Sequence, residues 1–157
     1  MKRYAILGLN RFGCRLAREL SDTDAQTLAI DHDEDRVEDI ADAVNTAVIA
    51  DIRDSDALSE AGVTEDHIAV VSIETNVEAS ALAVLALKDI GCARIFALAA
   101  TDEHARILRA LGADGIVMPE AEAALRFAHG ERSAERSSGD TQSEEDNGSS
   151  DKGNAQS

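Results

Sequence analysis

The sequence predicts an α/β protein, a doubly wound parallel sheet with helices on both faces. Short β-branched runs alternate with amphipathic helical patterns over the first 130 residues, as in repeated strand-helix-strand units. Several of these runs are apolar at consecutive positions, which fits strands covered by helices on both sides. The first run leads through the glycine turn "GLNRFG" directly into a helix.

The first strand covers 4–8 and closes on Gly8, and the helix at 12–20 follows the turn. The second strand, "TLAID" at 27–31, ends on a carboxylate and precedes an acidic helix at 33–43. The third strand, "TAVIA" at 46–50, is followed by Asp51 and a helix at 54–61. "HIAVVSI" at 67–73 gives the fourth strand, and the helix at 75–90 follows it. "RIFALA" at 94–99 and the helix at 102–110 come next, then "GIVM" at 115–118 and a last helix at 119–129. Gly62, Gly91 and Gly112 fall where helices should stop. Six strands and six helices in this order make a complete Rossmann-like domain.

A chain of 157 residues with 44% hydrophobic content buries one sizeable core. That core is expected within 1–130. Residues 131–157 contain no Val, Ile, Leu, Met or aromatic side chain, so they read as a disordered acidic tail. The formal charge of −16 argues against a nucleic-acid partner and against an anionic membrane surface, both of which attract basic patches. Only three of the fifteen basic residues are lysines. An acidic, lysine-poor surface suits a salt-rich cell interior, and an ordinary acidic protein has the same composition.

No signal peptide and no membrane-spanning run is legible, so direct membrane insertion is not expected and a cytoplasmic location is. Cys14 and Cys92 fit no metal spacing and read as reduced thiols. His32, His67, His104 and His129 are scattered, so no metal site is expected.

The chemistry gathers at the glycine turn. Gly8 can take the tight turn, Gly13 permits close helix-to-strand packing, and the amides that open the helix point positive charge towards a phosphate. Asp31 ends the second strand 23 residues after Gly8, where a carboxylate accepts hydrogen bonds from the ribose hydroxyls of an adenosine and repels the added phosphate of NADP. Asp51 ends the next strand, near where an adenine would lie. For Asp51 a helix cap or a solvated turn is an equally open reading. Ser72, near the end of the fourth strand, completes the group of strand-end candidates. The fingerprint G-x-G-x-x-G lacks its middle glycine, and Asn10 stands there. Asparagine tolerates unusual backbone angles, and its side chain fills the space through which a pyrophosphate approaches, while its amide can donate to a phosphate instead.

These residues resemble the RCK domain, also called the TrkA N-terminal domain, of bacterial potassium channels and transporters, and most closely the KtrA-like and TrkA-like regulatory subunits. The matching stretches are "GLNRFG", "LAIDHDEDRVEDIAD", "AVIADIRDSDALSEAGV", "NVEASALAVLALKDIG" and "HARILRALGADGIVMPEAEAALRFA". The resemblance implies a phosphate loop of Gly8, Arg11, Phe12 and Gly13, with Arg11 turned to the phosphates, Asp31 on the ribose and Asp51 by the adenine. It also implies that Glu120 lies near the nucleotide at a dimer interface. Asn10, Ala50 and Leu98 depart from the pattern, Leu98 standing where such chains often carry a lysine. Members usually continue into a smaller C-terminal lobe, and the acidic segment stands at that place here.

Hydride transfer needs a second surface to hold a substrate, and none is legible after residue 130. No nucleophile-base or metal constellation flanks the turn. The expected function is therefore non-enzymatic: a regulatory subunit that binds ATP, ADP, AMP or NAD(H) and controls a potassium-translocating membrane protein. It would assemble as a homodimer or a higher ring through the last helix, with apolar Leu125 and Phe127, and lie peripheral to the inner membrane through that partner. The alternatives are an NAD-dependent oxidoreductase, or a fragment of one, and a nucleotide-binding scaffold with no transport partner.

Overall fold

The computed structural model describes residues 1–140, with side chains described for residues 1–130. The strands are β1 Arg3–Leu7, β2 Gln26–Asp31, β3 Thr46–Ile49, β4 Ile68–Val71, β5 Arg94–Leu98 and β6 Gly115–Val117. They form a single parallel sheet in the order β3-β2-β1-β4-β5-β6. This is the Rossmann-like order expected from the alternating pattern. β1 lies at the centre, with Leu7 opposite Ile30 on one side and Val71 on the other. The chain winds outward from β1 to β3 and then crosses to β4, which leaves a crevice beyond the carboxyl ends of β1 and β4.

Among the described residues, six α-helices connect or follow the strands: α1 Arg11–Ser21, α2 Glu34–Ile40, α3 Ser55–Ala61, α4 Val77–Ile90, α5 Asp102–Leu111 and α6 Pro119–Asp140. The expected helix at 33–43 divides into α2 and a 3₁₀ turn at Ala41–Ala43, where its last turn tightens. α3, α4 and α5 end on the left-handed glycines Gly62, Gly91 and Gly112.

Alternating strand residues feed two apolar layers. Leu7 and Ile30 face Leu58, Leu87 and Leu108 of α3, α4 and α5, whereas Ile6 and Ala29 face Ala17, Val37 and Ile40 of α1 and α2. Helices therefore cover both faces. Each fully buried leucine or isoleucine in these layers contributes about 1.5–3 kcal/mol.

The chain divides into two compact units, Met1–Pro119 and Glu120–Ser157. α6 runs to Asp140, so the first ten residues of the expected tail are helical in backbone, and 141–157 lie outside the described residues. Within α6, Leu125 and Phe127 are 61% and 69% exposed.

His104 is buried where α4 meets α5, and its Nε2 lies 3.1 Å from the Ser80 hydroxyl. Burial pushes its pKa below the usual histidine value. The unfolded chain therefore takes up this proton more readily than the folded one. The resulting stability is fully present above the unfolded pKa of about 6.5 and is lost progressively as pH falls from there through the lowered folded pKa. Thermal unfolding of wild type and His104→Gln at about pH 7 and about pH 5 should show a smaller acid-induced fall for the variant. Parallel falls would contradict a neutral buried imidazole.

Candidate nucleotide-binding site

The glycine turn is built by close backbone approach. Gly8 has φ +96°, its N–H donates to the Ile30 carbonyl at 2.9 Å, and a Cβ there would lie 2.6 Å from the Ser72 carbonyl oxygen. A Cβ on Gly13 would lie 2.3 Å from the Gly8 carbonyl oxygen. Both positions require glycine, and together they bring the first turn of α1 against the ends of β1 and β4.

Asn10 is the N-cap of α1 and holds an extended backbone, with φ −71° and ψ −173°. Its role is thus not to accommodate an unusual angle. Its Oδ1 accepts the Gly13 N–H at 3.0 Å, and the Ser72 hydroxyl donates to the same oxygen. Asparagine is among the strongest N-cap residues because it satisfies an amide that has no partner within the helix.

Asp31 is 2% exposed. Its Oδ2 accepts the Leu9 N–H at 2.7 Å and its Oδ1 accepts the Asp33 N–H at 2.9 Å, so the carboxylate ties the glycine turn to the loop after β2. His32 Nδ1 stands 3.3 Å from Oδ1 and Arg36 Nη1 3.7 Å from Oδ2. Each carboxylate oxygen can accept more than one hydrogen bond, which leaves capacity for a hydroxyl. Asp51 caps no helix, since α2 and α3 are capped by Asp33 and Asp54. It makes a turn instead, accepting the Arg53 N–H at 3.0 Å and a two-pronged pair from the Arg53 guanidinium at 3.0 and 3.2 Å. The hydrogen bonds from the Arg53 side chain, then from its backbone, hold the Asp51 carboxyl below its ordinary pKa, and the same pair raises that of Arg53.

A cavity of about 510 Å³ opens at these strand ends, and Gly8, Asn10, Asp31, Asp51 and Ser72 all line it. Arg11, Phe12 and Gly13 occupy the first turn of α1 and are not among the lining residues, and Arg11 is exposed. The cations that line the cavity are Arg36 and Arg53, which the sequence reading did not single out. Arg36 had a legible signal: it stands three residues after the cap Asp33, where a helical side chain leans back towards the strand ends. Arg53 lies two residues after Asp51, the reach of an aspartate turn. Glu74, Asn76 and Ala79 also line the cavity, and Asn76 caps α4 by accepting the Ala79 N–H at 3.0 Å. Leu98 is fully buried in β5 and Ala50 packs against the larger apolar layer. Glu120 opens the second unit, at the start of α6.

Among the described residues, no group of three or more His, Cys, Asp or Glu could hold a metal ion, and no helix is long and apolar enough to cross a membrane. Cys14 and Cys92 are unpaired, and burial raises both thiol pKa values.

Sheet order, glycine turn and strand-end carboxylate define a Rossmann-type domain. The chain belongs to the TrkA-N domain family, whose model matches residues 4–119. It is 40% identical over 129 residues to Ktr system potassium uptake protein C of Bacillus subtilis (strain 168), covering 82% of this chain and 58% of that protein. It is 35% identical over 127 residues to Ktr system potassium uptake protein A of Vibrio alginolyticus, covering 81% of this chain and 58% of that protein. The chain thus spans a little over half the length of these relatives. The fold is shared with the TrkA-N domain of inner membrane protein ybaL from Escherichia coli, with TM-score 0.70, 22% identity and coverage of 82% and 96% of the two chains. It is also shared with the GsuK channel bound to NAD, with TM-score 0.63, 17% identity and coverage of 75% and 21%. A GsuK structure bound to ADP aligns with TM-score 0.63, 16% identity and coverage of 74% and 31%.

Proposed function

We propose that this chain is a regulatory module that binds an adenine nucleotide and controls a potassium-translocating membrane protein. The observation that carries the binding reading is the cavity at the topological switch point, lined by the Gly8 turn and by the buried Asp31 carboxylate that braces it. Asp31 takes the ribose hydroxyls, Asp51 lies by the adenine, and Arg36 and Arg53 supply positive charge for phosphate. The Ktr relatives support a potassium-uptake partner, and GsuK supports nucleotide binding by this fold. Regulation follows if the nucleotide binds one conformation of an assembly better than another. The assembly is a homodimer or larger, with the apolar Leu125 and Phe127 of α6 and the nearby Glu120 at its interface. The module does no chemistry on its ligand and works at the cytoplasmic side of the membrane through its partner.

Calorimetry on the full chain should detect adenosine and AMP, with adenosine 2′,5′-bisphosphate weaker than AMP because its added phosphate meets Asp31. Potassium flux through a Ktr-type potassium-translocating membrane subunit, reconstituted in vesicles with this chain, should change when nucleotide is added. Equal affinity for AMP and the 2′,5′-bisphosphate would remove the ribose assignment. Unchanged flux would remove the regulatory role, and turnover of a nicotinamide cofactor would move the protein to the oxidoreductases.

A further inference from the structure

Resting on the adenine-nucleotide reading, we infer that Asn10 sets the ligand class by closing the α1 terminus to a bridging pyrophosphate, so that the site takes adenosine 5′-monophosphate in preference to dinucleotides. A phosphate bound at a helix N-terminus occupies the space where unpaired amides converge. In this chain that space holds Asn10 Oδ1, 3.0 Å from the Gly13 nitrogen. The assignment of oxygen to this position is fixed by its partner, because a backbone N–H can only donate.

Ser72 braces the arrangement. It is 1% exposed and donates its hydroxyl proton to Asn10 Oδ1, so a pyrophosphate entering this space must break both hydrogen bonds that Oδ1 accepts, from Gly13 and from Ser72. With Oδ1 committed on two sides, Nδ2 is the polar atom left for a ligand, and Asn10 lines the cavity. One phosphate can rest outside the cap, against Nδ2 and within the same cavity as Arg36 and Arg53. Two linked phosphates need the closed space as well.

The test is calorimetry of adenosine, AMP and NAD on the full chain and on Asn10→Gly and Asn10→Asp, with thermal unfolding as a check on folding. Glycine is accepted at N-caps, and aspartate keeps the cap while replacing the Nδ2 donor with a carboxylate oxygen. Wild type should bind AMP about tenfold or more tighter than NAD, the scale of one or two lost hydrogen bonds. Asn10→Gly should shift the AMP-to-NAD affinity ratio at least about tenfold towards NAD, and Asn10→Asp should weaken AMP by about tenfold while leaving adenosine unchanged. NAD binding as tightly as AMP in wild type, an unchanged ratio in Asn10→Gly, or unchanged AMP affinity in Asn10→Asp would each overturn the role of Asn10 while leaving the adenine site standing. Failure of both adenosine and AMP to bind wild type would instead remove the adenine reading and this inference with it.

Discussion

Gly13→Ala should destabilise the domain by about 3 kcal/mol, the upper part of the range for forcing a methyl group into filled space. The added Cβ would lie 2.3 Å from the Gly8 carbonyl oxygen and 3.1 Å from the Ser72 hydroxyl oxygen. Neither neighbour can yield easily, since Gly8 is tied to Ile30 and the Ser72 hydroxyl donates to the α1 cap. α1 must therefore move off the strand ends, and the cap at Asn10 moves with it. Thermal unfolding followed by circular dichroism should show the melting temperature fall by about 10 °C. Gly130→Ala provides the control, because nothing lies within 4 Å of a Cβ there. A Gly13 variant as stable as the Gly130 variant would mean that the close approach is not a feature of the folded protein.

Asp31→Ala should show two losses, one in stability and one in affinity. The Leu9 amide, in a residue only 2% exposed, gives up its carboxylate acceptor, at a cost of about 1–3 kcal/mol for an unsatisfied buried donor. Loss of charge-assisted hydrogen bonds to the ribose should weaken AMP by a further ~1–3 kcal/mol, or roughly fivefold to 150-fold. Unfolding without ligand measures the first effect and calorimetry on the folded variant the second. An unchanged melting temperature would contradict the brace to the turn, and an unchanged AMP affinity would contradict the ribose contact.

The double use of Asp31 marks where the sequence was readable and where it was not. Its place at the end of β2 followed from the alternating pattern and the spacing from Gly8, because strand period and turn chemistry are local properties. The six strands were legible for the same reason, and the parallel order followed because crossover helices connect strands only in a restricted set of ways. The capture of Leu9 by Asp31 is a contact across 22 residues of chain and has no local signature. Asn10 divides in the same way. Its misfit with the glycine fingerprint was plain, whereas its partnership with Ser72 spans 62 residues and depends on β1 and β4 being neighbours. The resemblance implied Arg11 as the phosphate cation, whereas the contribution of Arg36 and Arg53 to the cavity lining comes from the loops that follow β2 and β3. The expected fourth strand at 67–73 narrows to Ile68–Val71, although the Ser72 N–H still donates to the Leu7 carbonyl at 2.7 Å.

The central claim is a location: adenine nucleotide held at the carboxyl ends of β1, β2 and β4. The direct measurement is an amide nitrogen-proton NMR titration of the assigned full chain with AMP. The predicted result is a saturating set of shifts at the strand-end residues Gly8, Leu9, Asn10, Asp31, Arg36, Arg53, Ser72 and Asn76. The amides of Arg3, Thr27, Asn45 and His67, around the smaller crevice of about 200 Å³ near the amino ends of the strands, should stay in place. Saturating shifts at that crevice with none at the Gly8 turn, or no shifts at all, would contradict it.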